Sequence, residues 1–490
     1  MLTALPNSHR LARSRVATHN NSSGAGSPAV AEAAPEQQVV PLYSGQRAVV
    51  VGAGPAGSTA AMFLARQGFS VDVFERRPEP KQDAVDTGRA YIIILIPRGQ
   101  AALKELGVPL PSQREFITKG TVRHDRKGKV GISREEGNVT FSRSSLAQYL
   151  IDQARQRYPS QITFHFDSAC AGVNIEQRQV SFSAAGGGQV QRSYDLLVGA
   201  DGAGSEVRRA LQQHYPDMQV TIDDSGREYK VYGGVRGDIE PEEFKKDPGA
   251  TLHLWSSDDP WTTVTAHSNP DGTYSGTFSL KTGGFADLRT AADYEALLRK
   301  KFVGVPDDWV PAIAQQAAAA TPSPAGKRVR CSRLDGPGVL LLGDAAHAVT
   351  PVFGQGANSA LESCKVLGSV LAEAGGDASR VPQLFTSARL ADMYALNELD
   401  AKAYSFFRRR GLLDPDFLQL LSHVLLGTIL SKLVPFLYGP KPALLKLGST
   451  TPYSTIIAAV KRDSLMAAVG FAALGVWLSF KLAAKVMVGA

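Results

Sequence analysis

The sequence predicts an α/β fold of the Rossmann type, carrying an inserted antiparallel β-sheet and ending in a helical, membrane-associating tail. Three observations predict it. Within residues 47–77 a short apolar run, a glycine-rich turn, a helix-forming stretch and a second apolar run ending in an acid follow one another. Two further apolar runs, each closed by an Asp with glycines behind it, lie far apart at residues 194–208 and 339–362. Between them, residues 251–280 alternate with the two-residue period of half-buried strands.

The chain opens on a segment unlike the rest. Residues 1–31 hold no Asp or Glu, carry Arg10, Arg13 and Arg15, and are rich in Ser, Ala and Asn. That composition suits a chloroplast or mitochondrial transit peptide, or a disordered terminus, and a Pro/Ala/Gln linker follows to about residue 45. It does not separate the two organelles.

Residues 47–77 read RAVVVGAGPAGSTAAMFLARQGFSVDVFERR. The run at 48–51 suits a parallel strand buried on both faces. Gly52 permits the tight turn, Gly54 lets backbone approach a pyrophosphate, and Gly57 lets helix pack close on strand. Pro55 suits an early helical position, and the helix start offers free N–H groups, Ala56 among them, to phosphate. Glu75 lies 23 residues after Gly52, near the spacing of a carboxylate that holds a ribose hydroxyl. Arg76 and Arg77 suit a 2′-phosphate, but Glu75 in the ribose position argues against one. A dinucleotide site results, and the fingerprint alone does not say FAD or NAD(P).

Residues 194–208 read YDLLVGADGAGSEVR, with Asp201 at the carboxyl end of a buried strand, where α/β sheets present ligands. Its glycines do not repeat GxGxxG. Residues 251–280 then supply strands and an Asn-Pro-Asp-Gly turn, a sheet suited to covering a bound ring. Residues 339–362, VLLLGDAAHAVTPVFGQGANSALE, repeat the strand–acid arrangement at Asp344. Gly354 and Gly356 let backbone pass against a flat ligand, and a helix from about 356–358 would bury Leu361, Val366, Leu367 and Leu371. His347 has no partner motif and reads as a packed histidine, not a base.

Taken in order, GAGPAG, GADGAGSEVR and GDAAHAVTPVFGQGAN resemble the single-component FAD-dependent aromatic monooxygenases over roughly residues 45–440. GRAYIIILIPRGQAAL (88–103), LHLWSSDD (252–259) and TPVFGQGANSALESC (350–364) are most similar to the kynurenine 3-monooxygenase branch. The resemblance implies FAD as cofactor, NADPH or NADH as transient reductant, O2 as co-substrate and a small aromatic substrate. It implies oxygen delivery from a flavin C4a-hydroperoxide, so no side chain is expected to be catalytic. The first motif would hold the ADP moiety through Gly52, Gly54, Ala56, Gly57, Glu75 and Arg76. Asp201 would lie near the pyrophosphate, Asp344 near the ribityl chain, and Arg143 would approach the flavin. Gly354, Gln355, Gly356, Ala357 and Asn358 would pass against the ring. Arg89 and Tyr404 would meet a substrate carboxylate, with Pro351 and Phe353 bordering the pocket. Two departures stand out: Ile92 replaces a family Asn and Ile96 a family Ser.

The remaining composition excludes more than it assigns. Lys and Arg number 53 against 46 Asp and Glu, a net charge of +7 with no basic stripe suited to nucleic acid. Cys170, Cys331 and Cys364 are scattered, which supports neither disulfides nor a metal site. Residues 464–480 are uncharged between Lys461–Arg462 and Lys481, so a membrane anchor is expected at 464–490, in the membrane of either organelle. The expected organisation is a leader and linker at 1–45, an FAD-binding part at 46–214 and a substrate sheet at 215–330. The FAD-binding part returns at 331–410, followed by a helical region at 411–463 and the anchor. Two alternatives stay open: an isoprenoid reductase like the geranylgeranyl reductases, favoured by the apolar residues 92–96, and a flavoprotein without turnover.

Overall fold

The computed structural model describes residues 41–80, 92–110, 117–134, 137–184, 186–246, 249–259, 261–269, 271–408, 414–439 and 441–488. The transit-peptide reading therefore falls on residues outside the described ones, apart from the end of its linker.

A six-stranded sheet forms the base of the fold, in the order Asp335–Gly336, Val339–Leu341, Leu196–Gly199, Arg47–Val51, Ser70–Phe74, Ile162–His165. Every pairing from Val339–Leu341 onward is parallel, and only the short edge Asp335–Gly336 runs antiparallel. The apolar runs that open the three glycine-bearing motifs, Arg47–Val51, Leu196–Gly199 and Val339–Leu341, are thus neighbours here, although nearly 150 residues separate each from the next. Burial on both faces explains why Val49, Val50, Leu196, Leu197, Leu340 and Leu341 form an unbroken apolar block. Helices Pro55–Arg66 and Gly356–Ala374 pack over this sheet so tightly that a Cβ on Gly368 would lie 2.5 Å from the Phe63 ring.

A seven-stranded sheet stands against it, in the order Ser323–Pro324, Arg227–Val235, Tyr274–Lys281, Thr263–Ser268, Ala250–Ser256, Thr118–His124, Val130–Arg134. The expectation of an antiparallel sheet needs correction, because Ala250–Ser256 pairs parallel with Thr118–His124. The chain enters this sheet twice in the same direction, and its first entry precedes residue 215. One face buries Trp255, Val264, Ala266, Tyr274 and Phe278 in a core with Tyr294 and Leu298 of helix Ala291–Lys301 and Ile313 of helix Trp309–Ala319. By strand alternation, the intervening residues face the other way.

The C-terminal region is helical: Val381–Arg408, Pro415–Leu433 and Tyr453–Val488 share a core of Leu396, Leu399, Leu420, Ile456 and Val460. His423 pins it, its Nδ1 lying 2.9 Å from Asp463 Oδ2 while Nε2 accepts from the Leu444 N–H at 3.1 Å. Leu425, Ile429, Leu433 and Phe436 form an exposed apolar row beside it. No helix among the described residues is long and apolar enough to cross a membrane, so the spanning anchor expected at 464–490 is not supported. The segment continues the helix Tyr453–Val488, whose first turns pack on the body through Tyr453 and Ile456.

Candidate active site

Three loops at the carboxyl ends of the parallel strands meet. At the first, Gly52 takes φ +102°, and a Cβ there would lie 2.4 Å from the Ala200 carbonyl oxygen. A Cβ on Gly57 would lie 1.8 Å from the Gly52 carbonyl oxygen. Both glycines are therefore demanded by the fold. Gly54 differs: a Cβ there would meet no protein atom within 4 Å, at the start of a helix that no side chain caps. The first N–H groups of that helix, at Ala56 and Gly57, have no acceptor within the helix. Glu75 braces the loop by accepting from the Ala53 N–H at 3.0 Å and the Arg77 N–H at 3.0 Å. Arg76 beside it is exposed.

At the second loop Asp201 caps a helix. Its Oδ2 accepts from the Glu206 N–H at 2.7 Å, while its buried Oδ1 has no hydrogen-bond partner among the described residues. Burial pushes this carboxyl above its usual range, against the hydrogen bonds from Ser205 and the backbone. Arg208, four residues into the same motif's tail, donates to the Ala345 carbonyl at 2.9 Å and ties the second loop to the third.

At the third loop Gly343 adopts φ +61° and lies so near Ala56 that a Cβ would be 3.0 Å from its methyl carbon. Asp344 follows at the cleft. Its side chain is exposed to the cleft; partial desolvation by the cleft walls raises its pKa, and the Arg143 charge opposes that rise. Arg143 begins the helix Arg143–Arg157, held in place by the Ser142 hydroxyl, which accepts from the Ser145 N–H. Gly354 turns the chain at φ +61°, and helix Gly356–Ala374 then starts with no side-chain cap and with open space above Gly356. Two uncapped helix starts, two open glycines and an orphaned carboxylate oxygen form a cradle for an anionic, hydroxylated, planar ligand. FAD has that chemistry, and the residues present fit it.

Several expected contacts are occupied within the protein. The Asn358 side chain is fully buried: Oδ1 accepts from the Ile96 N–H at 3.0 Å, and Nδ2 donates to the carbonyls of Ile94 and Gly354 at 2.9 and 3.0 Å. It clamps strand Ile92–Leu95 to the loop. Gln355 is likewise engaged, accepting from the Tyr453 hydroxyl at 2.8 Å. Phe353 packs on the C-terminal core, and Pro351 is exposed. Arg89 lies outside the described residues, as does the side chain of Tyr404 within helix Val381–Arg408.

His347 is buried and 3.3 Å from the Ser363 hydroxyl. Burial first, then the Arg389 charge, lowers its pKa to about 3. It stays neutral near pH 7, as a packed histidine should. The unfolded imidazole, with a pKa of about 6.5, accepts a proton that the folded one refuses, so stability is complete above that value. It is lost as the pH falls from about 6.5 toward the folded pKa. Urea midpoints should therefore drop between pH 7 and pH 5, and His347→Asn should flatten part of that slope. An unchanged slope would refute the assignment.

Sequence reasoning missed the charges beneath the third loop. Glu362 pairs with Arg98 through Oε1 and with Arg389 through Oε2 at 2.6 Å. The Arg98 guanidinium lies over the Tyr453 ring at 3.9 Å and donates to the Thr451 carbonyl. Arg98 stood in view in the PRGQ segment, but nothing local shows that its partners come from residues 362 and 451.

A model of the FAD binding domain matches residues 46–384. Among curated relatives, a kynurenine 3-monooxygenase of Salinispora tropica is 30% identical over 446 residues, covering 85% of this chain and 91% of its own. That of Legionella pneumophila (strain Corby) is 30% identical over 369 residues, covering 72% and 79%. Solved structures share the fold at lower identity. The tetrameric form of 2-methyl-3-hydroxypyridine-5-carboxylic acid oxygenase matches with a TM-score of 0.56 at 19% identity, over 76% of this chain and 95% of its own. Pseudomonas aeruginosa PqsL in complex with 2-aminobenzoylacetate matches with a TM-score of 0.57 at 19% identity, over 76% and 98%.

Proposed function

The chain belongs to the FAD-binding-domain family and is a FAD-dependent aromatic monooxygenase of the kynurenine 3-monooxygenase kind; on that premise we propose that it hydroxylates a small, electron-rich aromatic amino acid such as kynurenine at the expense of NADPH or NADH. The observation that carries this reading is the convergence of three loops on one cradle beside the second sheet. FAD, when bound, supplies the redox chemistry: electrons from the nicotinamide and O2 yield the hydroxylated ring, oxidised nicotinamide and water.

The chain's own residues bind and orient. Helix Gly356–Ala374 directs its positive end at the flavin position, a fixed field suited to a ring that becomes anionic on reduction. Asn358 holds strand Ile92–Leu95 against that loop, which fixes one wall of the substrate space. Arg89, just upstream, is the proposed grip on the substrate carboxylate. The isoprenoid-reductase alternative loses ground because the sheet strands beside that wall alternate Thr263, Thr265, His267 and Ser275, Thr277, Ser279, a polar surface unsuited to a long hydrocarbon.

The test uses the full chain loaded with FAD, following NADPH and NADH oxidation, O2 uptake and product with L-kynurenine and other aromatic amino acids. Substrate-stimulated O2 uptake with a hydroxylated product is the expected outcome, and absence of any O2-dependent product would reject the reading. Arg89→Ala should raise KM at least tenfold, the scale of one lost charge-assisted contact at roughly 1.5–3 kcal/mol, with FAD retained. Loss of FAD instead would contradict the carboxylate role.

A further inference from the structure

On the second sheet, three neighbouring strands place Leu252, His267 and Ser275 in one row, and Leu254, Thr265 and Thr277 in the next. Val264, Ala266 and Phe278, between these residues, point into the helical core, so the rows face the opposite way. Strand Ile92–Leu95, which Asn358 clamps to the third loop, lies on that side. Leu252 and His267 meet Ile92 and Ile94 across a narrow gap, and the Ile94 carbonyl is held by Asn358 from the third loop.

Most hydroxyls on this face are satisfied inside the sheet. Thr265 and Thr277 hydroxyls lie 2.8 Å apart, Thr263 accepts from Arg227 at 2.7 Å, and Ser275 accepts from Asn269 at 2.9 Å. His267 is different. It is half-buried beside Ile92, Ile94 and Leu252, where Thr118, Thr140 and Thr251 also line the space, and neither ring nitrogen has a hydrogen-bond partner among the described residues. Its ring nitrogens are not sealed from solvent, so they can exchange a hydrogen bond with water for one with a ligand.

We propose that His267 is a specificity-determining residue, accepting a hydrogen bond from an amino or hydroxyl group on the substrate's aromatic ring. The inference rests on the monooxygenase reading and narrows it to arenes bearing an N–H or O–H on the ring. A neutral imidazole has one acceptor nitrogen and one donor nitrogen. Burial lowers the pKa of His267 to about 4, which keeps the acceptor free near pH 7. The chemistry favours this contact, because oxygen transfer to an arene is electrophilic. A ring N–H or O–H bonded to an acceptor releases electron density into the ring that is attacked. The same bond fixes which ring edge faces the cradle, and so where the oxygen arrives.

The experiment titrates the FAD-loaded full chain with matched pairs that differ only in the ring substituent: L-kynurenine against its analogue lacking the ring amine, and anthranilate against benzoate. Binding is read from flavin fluorescence and absorbance. The wild type should prefer the amino member of each pair by about tenfold, the scale of one hydrogen bond that leaves a buried partner unmatched when lost. His267→Leu should shrink that preference to within about twofold, and His267→Gln should keep part of it, both with FAD content unchanged. A preference that survives His267→Leu, or a wild type without preference, overturns the inference while leaving the monooxygenase reading intact if turnover persists. No binding and no stimulated NADPH oxidation with any of the four compounds overturns both.

Discussion

A Gly57→Ala chain should emerge without FAD. The added methyl carbon would sit 1.8 Å from the Gly52 carbonyl oxygen and 3.3 Å from a Val50 methyl, and both neighbours belong to the strand and turn that shape the cradle. Neither backbone nor strand can retreat, because Gly52 itself is wedged against the Ala200 carbonyl. The helix must therefore lift away from the strand, carrying the N–H groups of Ala56 and Gly57 out of position. Gly54→Ala gives the contrast. A methyl group there meets no protein atom, so the apoprotein should keep its stability while FAD affinity falls. The measurements are flavin absorbance per chain and the urea midpoint of the apoprotein. Full flavin occupancy in Gly57→Ala, or equal stability loss in both variants, would show that the glycines act otherwise.

Glu362→Gln should be the most damaging single change outside the glycine turn. Arg98, whose side chain is fully buried, and Arg389, 2% exposed, both pair with this carboxylate. Replacing it by an amide keeps the shape and leaves two guanidinium groups short of a counter-charge. Arg389 retains Asp392 at 3.3 Å, whereas Arg98 has no other carboxylate among the described residues and rests on the Thr451 carbonyl and the face of Tyr453. Breaking a buried pair in this way costs roughly 3–5 kcal/mol. The consequence should reach the site. Tyr453 hydrogen-bonds Gln355 in the third loop, so loosening Arg98 under the Tyr453 ring frees the loop against the flavin. A lowered urea midpoint together with weakened FAD binding is expected, and a loss below about 1 kcal/mol would mean that the pairs are solvated and weak.

What could be read in the sequence was local. The strand–turn–helix at residues 47–66 follows from apolar burial, two glycines that no other residue can replace, and an early proline. Asp201 and Asp344 were legible as strand-end acids because a parallel sheet presents ligands there and nowhere else. The order of the three loops carried the family and with it the cofactor. Asn358 shows the opposite case. Its position beside the flavin loop suggested ligand contact, yet its amide is consumed by Ile94, Ile96 and Gly354, two of which lie more than 260 residues away. Phe353 likewise turns to the C-terminal core, whose nearness the sequence does not state.

By itself, then, the sequence determined the base sheet, the dinucleotide loops and the family, since each depends on the chemistry of a few adjacent residues and on the periodicity of burial. Only the tertiary structure decided the parallel entry of residues 118–124 into the second sheet and the charge triad of Arg98, Glu362 and Arg389. It alone placed His267, with no hydrogen-bond partner among the described residues, beside Ile92 and Ile94. The physical reason is common to all three. A hydrogen bond or ion pair between distant segments leaves no periodic trace in either one, because its energy depends on where the chain brings them together.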